Sequence, residues 1–154
     1  MIHISSTANP RVKLLSSLAN SSARNEHGVY LVEGENMVRE AINIGKALSV
    51  MVDESKLSLY ENKIPSGIEI ITLSKPVIKK ISTTVTPQGI FALCALPKET
   101  KLSDLGTRVV VLNGVQDSGN VGTIWRTAEA AGFTGLLMDK DCADPFSPKV
   151  LRSS

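Results

Sequence analysis

The chain has 154 residues, a formal net charge of +2, 42% hydrophobic residues and 21% charged residues. These values are typical of a globular protein with one domain or two small ones, and they argue against intrinsic disorder. The charge is too small to indicate nucleic-acid binding by the whole molecule, so any such contact must come from a local cluster of basic residues.

The first two thirds of the chain alternate between helical and strand patterns. Asn9 and Pro10 predict the start of a helix, because Asn caps helices and Pro fits the first turn, and Val12, Leu15 and Leu18 follow at helical spacing. The polar segment 20–28 is expected to be a loop. Strands are expected at 29–32, 47–52, 68–73 and 89–96, helices at 35–44 and 75–82, and a short helix or a turn at 55–61. The alternation predicts an α/β fold, in which helices flank a sheet.

A polar segment at 98–106 is expected to link two domains, at 1–97 and 107–154. The second domain shows a strand at 108–112, a helix from about 121 to 131, a strand at 135–138 and a final loop at 139–154. One β-α-β unit is too small to close a core alone, so we expect this domain to be incomplete.

Single residues outside these patterns indicate little chemistry. Cys94 lies in an apolar strand and is expected to be buried, and neither Cys94 nor Cys142 has a metal-ligand spacing. Tyr30 is expected in the core, while Glu33 and Glu40 are expected to be solvated charges. No apolar run is long enough to span a bilayer and no secretory signal precedes the first helix, so we expect a cytoplasmic protein without a metal or a membrane partner.

The turn between the strand and the helix of the second domain, residues 113–128, is the most informative segment. Gly114 and Gly119 have the spacing of a phosphate-binding P-loop, but the Lys and Ser or Thr that must follow are missing, and no dinucleotide-binding glycine pattern is present. Asn120 is expected to cap the helix. Arg126 falls off the apolar stripe, so it either holds a phosphate beside the helix N-terminus or is an ordinary surface arginine.

These residues resemble motif 1 of the SpoU/TrmH family, the RNA ribose 2'-O-methyltransferases of the SPOUT superfamily. The resemblance rests on Asn113, on the segment 117–122 and on Arg126 with the Thr127-Ala128 pair that follows it. Residues 144–153 are also similar to the family. The pieces 9–13, 31–34 and 88–89 resemble the family's N-terminal substrate-binding domain, which is an α/β module like ribosomal protein L30e.

The resemblance implies a methyl transfer from S-adenosylmethionine to a ribose 2'-hydroxyl, in 23S rRNA rather than tRNA, by a homodimer. It implies that Arg126 and Asn120 are catalytic, with Arg126 mainly positioning the nucleotide and general-base assistance left open. The residues expected to bind substrate are Arg11, Lys13, Asn113, Gly122 and Thr123, although Arg11 and Lys13 are equally consistent with a solvated helix face.

The resemblance also predicts what the chain lacks. The family's motifs 2 and 3, which hold most of the methyl donor and tie the knot of the SPOUT domain, are expected beyond Ser154. The second domain is therefore expected to be the first β-α-β portion of an incomplete α/β-knot domain, inactive alone. The alternative is a non-enzymatic RNA-binding module of the L30e type.

Overall fold

The computed structural model describes residues 1–98 and 100–154, and these divide into two units, Met1–Leu96 and Pro97–Ser154. Each unit has its own hydrophobic cluster. In the described part of the chain, no helix has both the length and the apolar character that crossing a membrane requires.

Unit 1 is built on a five-stranded sheet with the order β1-β4-β3-β5-β2. β1, β4 and β3 are parallel, whereas β5 runs antiparallel to both β3 and β2. The short strand β1 was not predicted, because three residues are too few to show an alternating pattern. The strands are β1 (Ile2–Ile4), β2 (Val29–Glu33), β3 (Ala47–Asp53), β4 (Glu69–Leu73) and β5 (Ile90–Ala95).

Five helices accompany this sheet, which confirms the predicted α/β class. The prediction of a loop at 20–28 was wrong, because the helix α2 (Ser21–His27) occupies most of that segment. Its Arg24 side chain is buried, and the Nη1 atom donates to the carbonyl oxygens of Leu18 at 2.7 Å and Ala19 at 3.0 Å. The helices are α1 (Pro10–Ser17), α2 (Ser21–His27), α3 (Glu35–Asn43), α4 (Leu57–Tyr60) and α5 (Lys75–Ile81).

The core of unit 1 holds Phe91, Leu73 and Val77, all fully buried. Cys94 is buried as predicted, and Tyr30 lies opposite it on β2 in a half-buried position. Burial raises the pKa of Tyr30 to about 12 and the pKa of Cys94 to about 11. Both groups are therefore neutral at physiological pH, in keeping with a structural role.

Unit 2 contains a β-α-β unit followed by a short helix. The parallel strands β6 (Val109–Leu112) and β7 (Gly135–Met138) are joined by α6 (Ser118–Ala130). The expectation of a loop over 139–154 was wrong at its end, where α7 (Pro148–Ser153) forms. Leu112, Val121 and Val150 make the buried centre of this unit, so α7 contributes directly to its core.

Candidate active site

The turn that follows β6 is tied to the segment that follows β7. The backbone N–H of Gly114 donates to both carboxylate oxygens of Asp139, at 3.1 and 3.0 Å. The N–H of Ala143 donates to the Val115 carbonyl at 2.9 Å, and the Val115 N–H points at the Cys142 sulfur at 3.3 Å. The Gly114 hydrogen bond, followed by that of the Cys142 thiol, lowers the pKa of Asp139. The ionised carboxylate thus holds the turn at the carboxyl edge of the two strands, where α/β proteins bind ligands.

Asp117, and not Asn120, caps α6. Its carboxylate Oδ1 accepts a hydrogen bond from the Asn120 backbone N–H at 2.8 Å, so the predicted cap was wrong and the helix begins three residues earlier than expected. A carboxylate at this end interacts favourably with the helix dipole and occupies one of the N–H groups that would otherwise bind an anion. The helix N-terminus is therefore already provided with a negative group.

Arg126 lies about two turns into α6, one turn further than the sequence suggests. It is the ninth residue of a helix that begins at Ser118. With a rise of 1.5 Å per residue, its Cα is about 12 Å along the axis from that of Ser118, which is longer than an arginine side chain. A role for Arg126 in holding a phosphate beside the helix N-terminus stays a prediction.

One exposed side of α6 carries the polar residues of the motif. Asn120, Thr123 and Thr127 follow one another at spacings of three and four, Arg126 stands three residues after Thr123, and all four are exposed. The Thr127 hydroxyl is engaged, since it donates to the Thr123 carbonyl at 2.8 Å. Across residues 1–98 and 100–154, the Arg126 guanidinium and the Asn120 side-chain amide have no hydrogen-bond or ion-pair partner. This surface, the α6 polar face, can therefore bind an external polar group.

Asn113 and Gly122 sit in different surroundings from that face. Asn113 is exposed where the turn leaves β6. Gly122 is buried against α7: a Cβ placed on it would lie 2.7 Å from the Val150 carbonyl oxygen and 2.8 Å from the Ser153 carbonyl carbon. This close approach of two helices needs glycine, a role that nothing in the spacing of the motif indicates. Substrate contact by Gly122 stays a prediction.

Arg11 and Lys13 belong to unit 1, at the start of α1. The Arg11 guanidinium lies 3.2 Å from the Glu69 carboxylate, and both side chains are about half exposed. Lys13 is exposed. Because a solvent-exposed ion pair contributes little, a phosphate is able to compete with Glu69 for Arg11.

Glu33 was wrongly expected to be a solvated charge. Its carboxylate accepts hydrogen bonds from the Ser82 hydroxyl at 2.6 Å, the Thr84 hydroxyl at 2.8 Å and the Thr83 N–H at 3.2 Å. These groups belong to the loop that connects α5 with β5, so Glu33 fixes that loop to the end of β2.

A cleft of about 530 Å³ in unit 2 lies on the apolar side of α6 and includes neither Arg126 nor Asn120 in its lining. Its aromatic residues are Trp125, Phe133 and Phe146. Within residues 1–98 and 100–154, no group of three His, Cys, Asp or Glu side chains is placed to hold a metal ion. The α6 polar face and the turn at residues 113–117, which Asp139 anchors, are thus the candidate site. We call this segment the anchored turn.

Two protein-family models match this chain. Residues 9–92 match the MRM3-like substrate binding domain, and residues 107–154 match the SpoU rRNA methylase family. The chain is similar to the 23S rRNA (guanosine(2553)-2'-O)-methyltransferase RlmP of Bacillus subtilis, with 36% identity over 100% of this chain and 61% of the relative. It is equally similar to an uncharacterised tRNA/rRNA methyltransferase of Synechocystis, with 36% identity over 98% of this chain and 57% of that protein.

A solved structure, the AdoMet-bound rRNA methyltransferase from Sinorhizobium meliloti, superposes with a TM-score of 0.82 at 29% identity, covering 98% of this chain and 59% of that one. The chain therefore spans about three fifths of the length of each of these three proteins.

Proposed function

Because the chain belongs to the SpoU/TrmH family of RNA methyltransferases, we propose that it carries the substrate-binding domain and the first part of the catalytic domain of a 23S rRNA ribose 2'-O-methyltransferase. S-adenosylmethionine supplies the methyl group in this proposal. The name of the Bacillus subtilis relative supports rRNA, rather than tRNA, as the substrate. The proposed enzyme is a homodimer, as the resemblance suggests, and its proposed location is the cytoplasm.

The observation that carries the proposal is the α6 polar face, where the motif residues Asn120 and Arg126 are exposed and their side chains are unpartnered among the described residues. A guanidinium stays protonated in proteins, so Arg126 is suited to hold a backbone phosphate through its planar fork. When Arg126 holds this phosphate, the adjacent ribose is oriented for attack by its 2'-oxygen. The phosphate oxygens are then available to receive the proton of the 2'-hydroxyl. Asn120 offers a further hydrogen bond to the bound nucleotide.

The anchored turn is suited to form one wall of a methyl-donor site. It lies at the carboxyl edge of β6 and β7, and the space beside Gly114 is open, with no atom within 4 Å of a Cβ position there. Asp139 fixes the turn by accepting the Gly114 N–H. We propose that the remaining walls belong to the two fifths of the relatives' length that this chain does not match.

The test is a chimera in which this chain replaces the matching part of the Bacillus subtilis RlmP protein, followed by an assay of ribose methylation on 23S rRNA. We expect Arg126→Ala to lower the rate at least 100-fold, the scale of a lost positioning or electrostatic contact, without changing thermal stability. Lys101→Ala removes an exposed positive charge in the same unit and is the matched control.

Full activity of the Arg126→Ala chimera would overturn the catalytic role. A chimera that folds and binds rRNA but methylates no ribose would instead support the non-enzymatic RNA-binding module.

A further inference from the structure

Unit 1 contains a groove between α3 and the segment 57–64 that none of the predicted site residues lines. We call it the α3 groove. Its floor is apolar: Val38, Ile64 and Ile90 are at most 9% exposed. Its volume is about 240 Å³, which is below the roughly 300–1,000 Å³ typical of pockets for drug-sized ligands. The groove therefore suits a small flat group, not an extended molecule.

The rim of the groove is basic. Arg39 and Lys63 line it, and Lys56 lines an adjoining hollow that shares Glu35 and Tyr60 with the groove. The groove and the hollow together are thus lined by three cations and one carboxylate, that of Glu35. This local balance contrasts with the nearly neutral chain and is complementary to phosphate.

The contacts that these cations make within the protein are weak enough for a phosphate to replace them. The Lys63 ammonium lies 3.4 Å from the Glu35 carboxylate and 5.3 Å from the centre of the Tyr60 ring, and its side chain is 65% exposed. The Arg39 guanidinium donates to the Asn36 amide oxygen at 3.1 Å, also at the surface. The Lys56 ammonium donates to the Gln88 carbonyl oxygen at 2.8 Å, likewise at the surface. Exposed contacts of this kind contribute little, so a phosphate can replace them at small cost.

The polar atoms around the apolar floor are both donors and acceptors. The Tyr60 hydroxyl points at the Glu35 carboxylate at 3.5 Å, and the exposed Asn43 side chain lies at the end of α3 where it lines the groove. An apolar floor, hydrogen-bonding groups at its edge and a basic rim correspond to the three parts of a nucleotide. Proteins bind unpaired RNA in this manner, with the base in a pocket and the backbone on cations.

Resting on the proposed function, we propose that the α3 groove takes one unpaired nucleotide of the substrate RNA. The base lies against Val38, Ile64 and Ile90. The flanking phosphates lie on Arg39, Lys63 and Lys56. Unit 1 thereby recognises an unpaired position in the RNA at a surface of its own, separate from Arg11 and Lys13.

The experiment measures fluorescence anisotropy of the 154-residue chain with two labelled hairpin RNAs. One has a loop of unpaired adenosines, and the other has the same loop with every base removed to leave abasic ribose. We expect about tenfold weaker binding of the abasic hairpin, because a bound base contributes on this scale in single-strand recognition while both RNAs keep the same phosphates.

Two variants locate the effect. Asn43→Trp fills the mouth of the groove and should abolish the difference between the hairpins. Lys63→Gln should weaken binding of both hairpins and reduce the salt dependence by about 0.7 in the slope of log K against log salt, the value for one phosphate of a single strand. Lys79→Gln, an exposed lysine on α5, is the matched control and should change neither.

Equal affinity for the two hairpins would overturn the proposal, as would no binding of either. It would also be overturned by a folded Asn43→Trp variant that still distinguishes the hairpins, or by a Lys63→Gln variant that behaves like Lys79→Gln. None of these outcomes bears on the Arg126 test in the chimera, which reports methylation from unit 2, so failure of either proposal is recognised separately.

Discussion

The Val150 carbonyl oxygen lies 2.7 Å from the place where a Cβ on Gly122 would stand. Helix α7 therefore packs directly on the backbone of α6, and the Ser153 hydroxyl reinforces the contact by donating to the Ser118 carbonyl at 3.2 Å. Because Val150 is part of the buried centre of unit 2, this contact joins the motif helix to the unit's core.

We expect Gly122→Ala to destabilise unit 2. The new methyl group must displace backbone, and overpacking of this kind costs about 1–3 kcal/mol. That exceeds the gain of up to about 1 kcal/mol from replacing glycine inside a helix. Urea unfolding monitored by the fluorescence of Trp125, the chain's single tryptophan, measures the change in unit 2.

Gly119→Ala is the control for that experiment, since its Cβ would meet only the Asp117 side chain, at 3.1 Å. It should leave the unfolding midpoint unchanged or raise it. If the two variants unfold alike, the close packing of α6 on α7 is not what Gly122 provides.

The chain order of elements was largely predictable, because strands and helices leave local periodic patterns. The helices that were missed depend on contacts that an apolar periodic pattern does not show. α2 looks polar, yet its Arg24 is buried against carbonyl groups of α1's end, and α7 is stabilised by packing beneath Gly122. A search for apolar residues at helical spacing does not detect either contact.

The candidate site, too, was predictable from the sequence only in part. The motif spacing located the turn and α6, but Asp117 and Asn120 are both good capping residues, and only backbone geometry decides between them. That choice moved the helix start by three residues and lengthened the distance from it to Arg126. The bond from Gly114 to Asp139 spans 25 residues and left no signal in the sequence.

A second prediction concerns pH. Hydrogen bonds, first that of the Gly114 N–H, lower the pKa of Asp139, so the ionised form favours the folded state. The stabilisation is present above the ordinary carboxyl pKa of about 3.9 and is lost as pH falls through the lower folded value. We expect Asp139→Asn to unfold at lower urea than the unchanged chain at pH 7, with the difference shrinking toward pH 3 in the Trp125 signal.

Asp141→Asn provides the comparison, because the Asp141 carboxylate accepts no hydrogen bond within the described residues. A pH-independent difference between the Asp139 variant and the unchanged chain would show that the charge of Asp139 is not what anchors the turn.

A third prediction concerns the loop that Glu33 fixes. Glu33→Ala removes the acceptor of two hydroxyl groups and of the Thr83 N–H. Hydrogen bonds to a charged group contribute about 1.5–3 kcal/mol when buried, and less at this half-buried position. We expect the amides of residues 82–84 to lose protection in hydrogen exchange, while the strands of unit 1 keep theirs.

Glu40→Ala tests whether the effect is specific, since Glu40 is exposed on the neighbouring α3. It should leave exchange in residues 82–84 as in the unchanged chain. Unaltered exchange in the Glu33 variant would mean that the loop keeps its position without this carboxylate.

The last prediction concerns the methyl donor. Binding pockets for ligands of this size bury about 70–90% of the ligand surface. The turn at 113–117 presents one open wall, with empty space beside Gly114. Titration calorimetry of the 154-residue chain with S-adenosylmethionine should therefore detect no appreciable binding, whereas the RlmP chimera should bind it. Tight binding by the chain alone would place the donor pocket within the described residues, and the wide cleft beside Trp125 would then be the region to test by substitution.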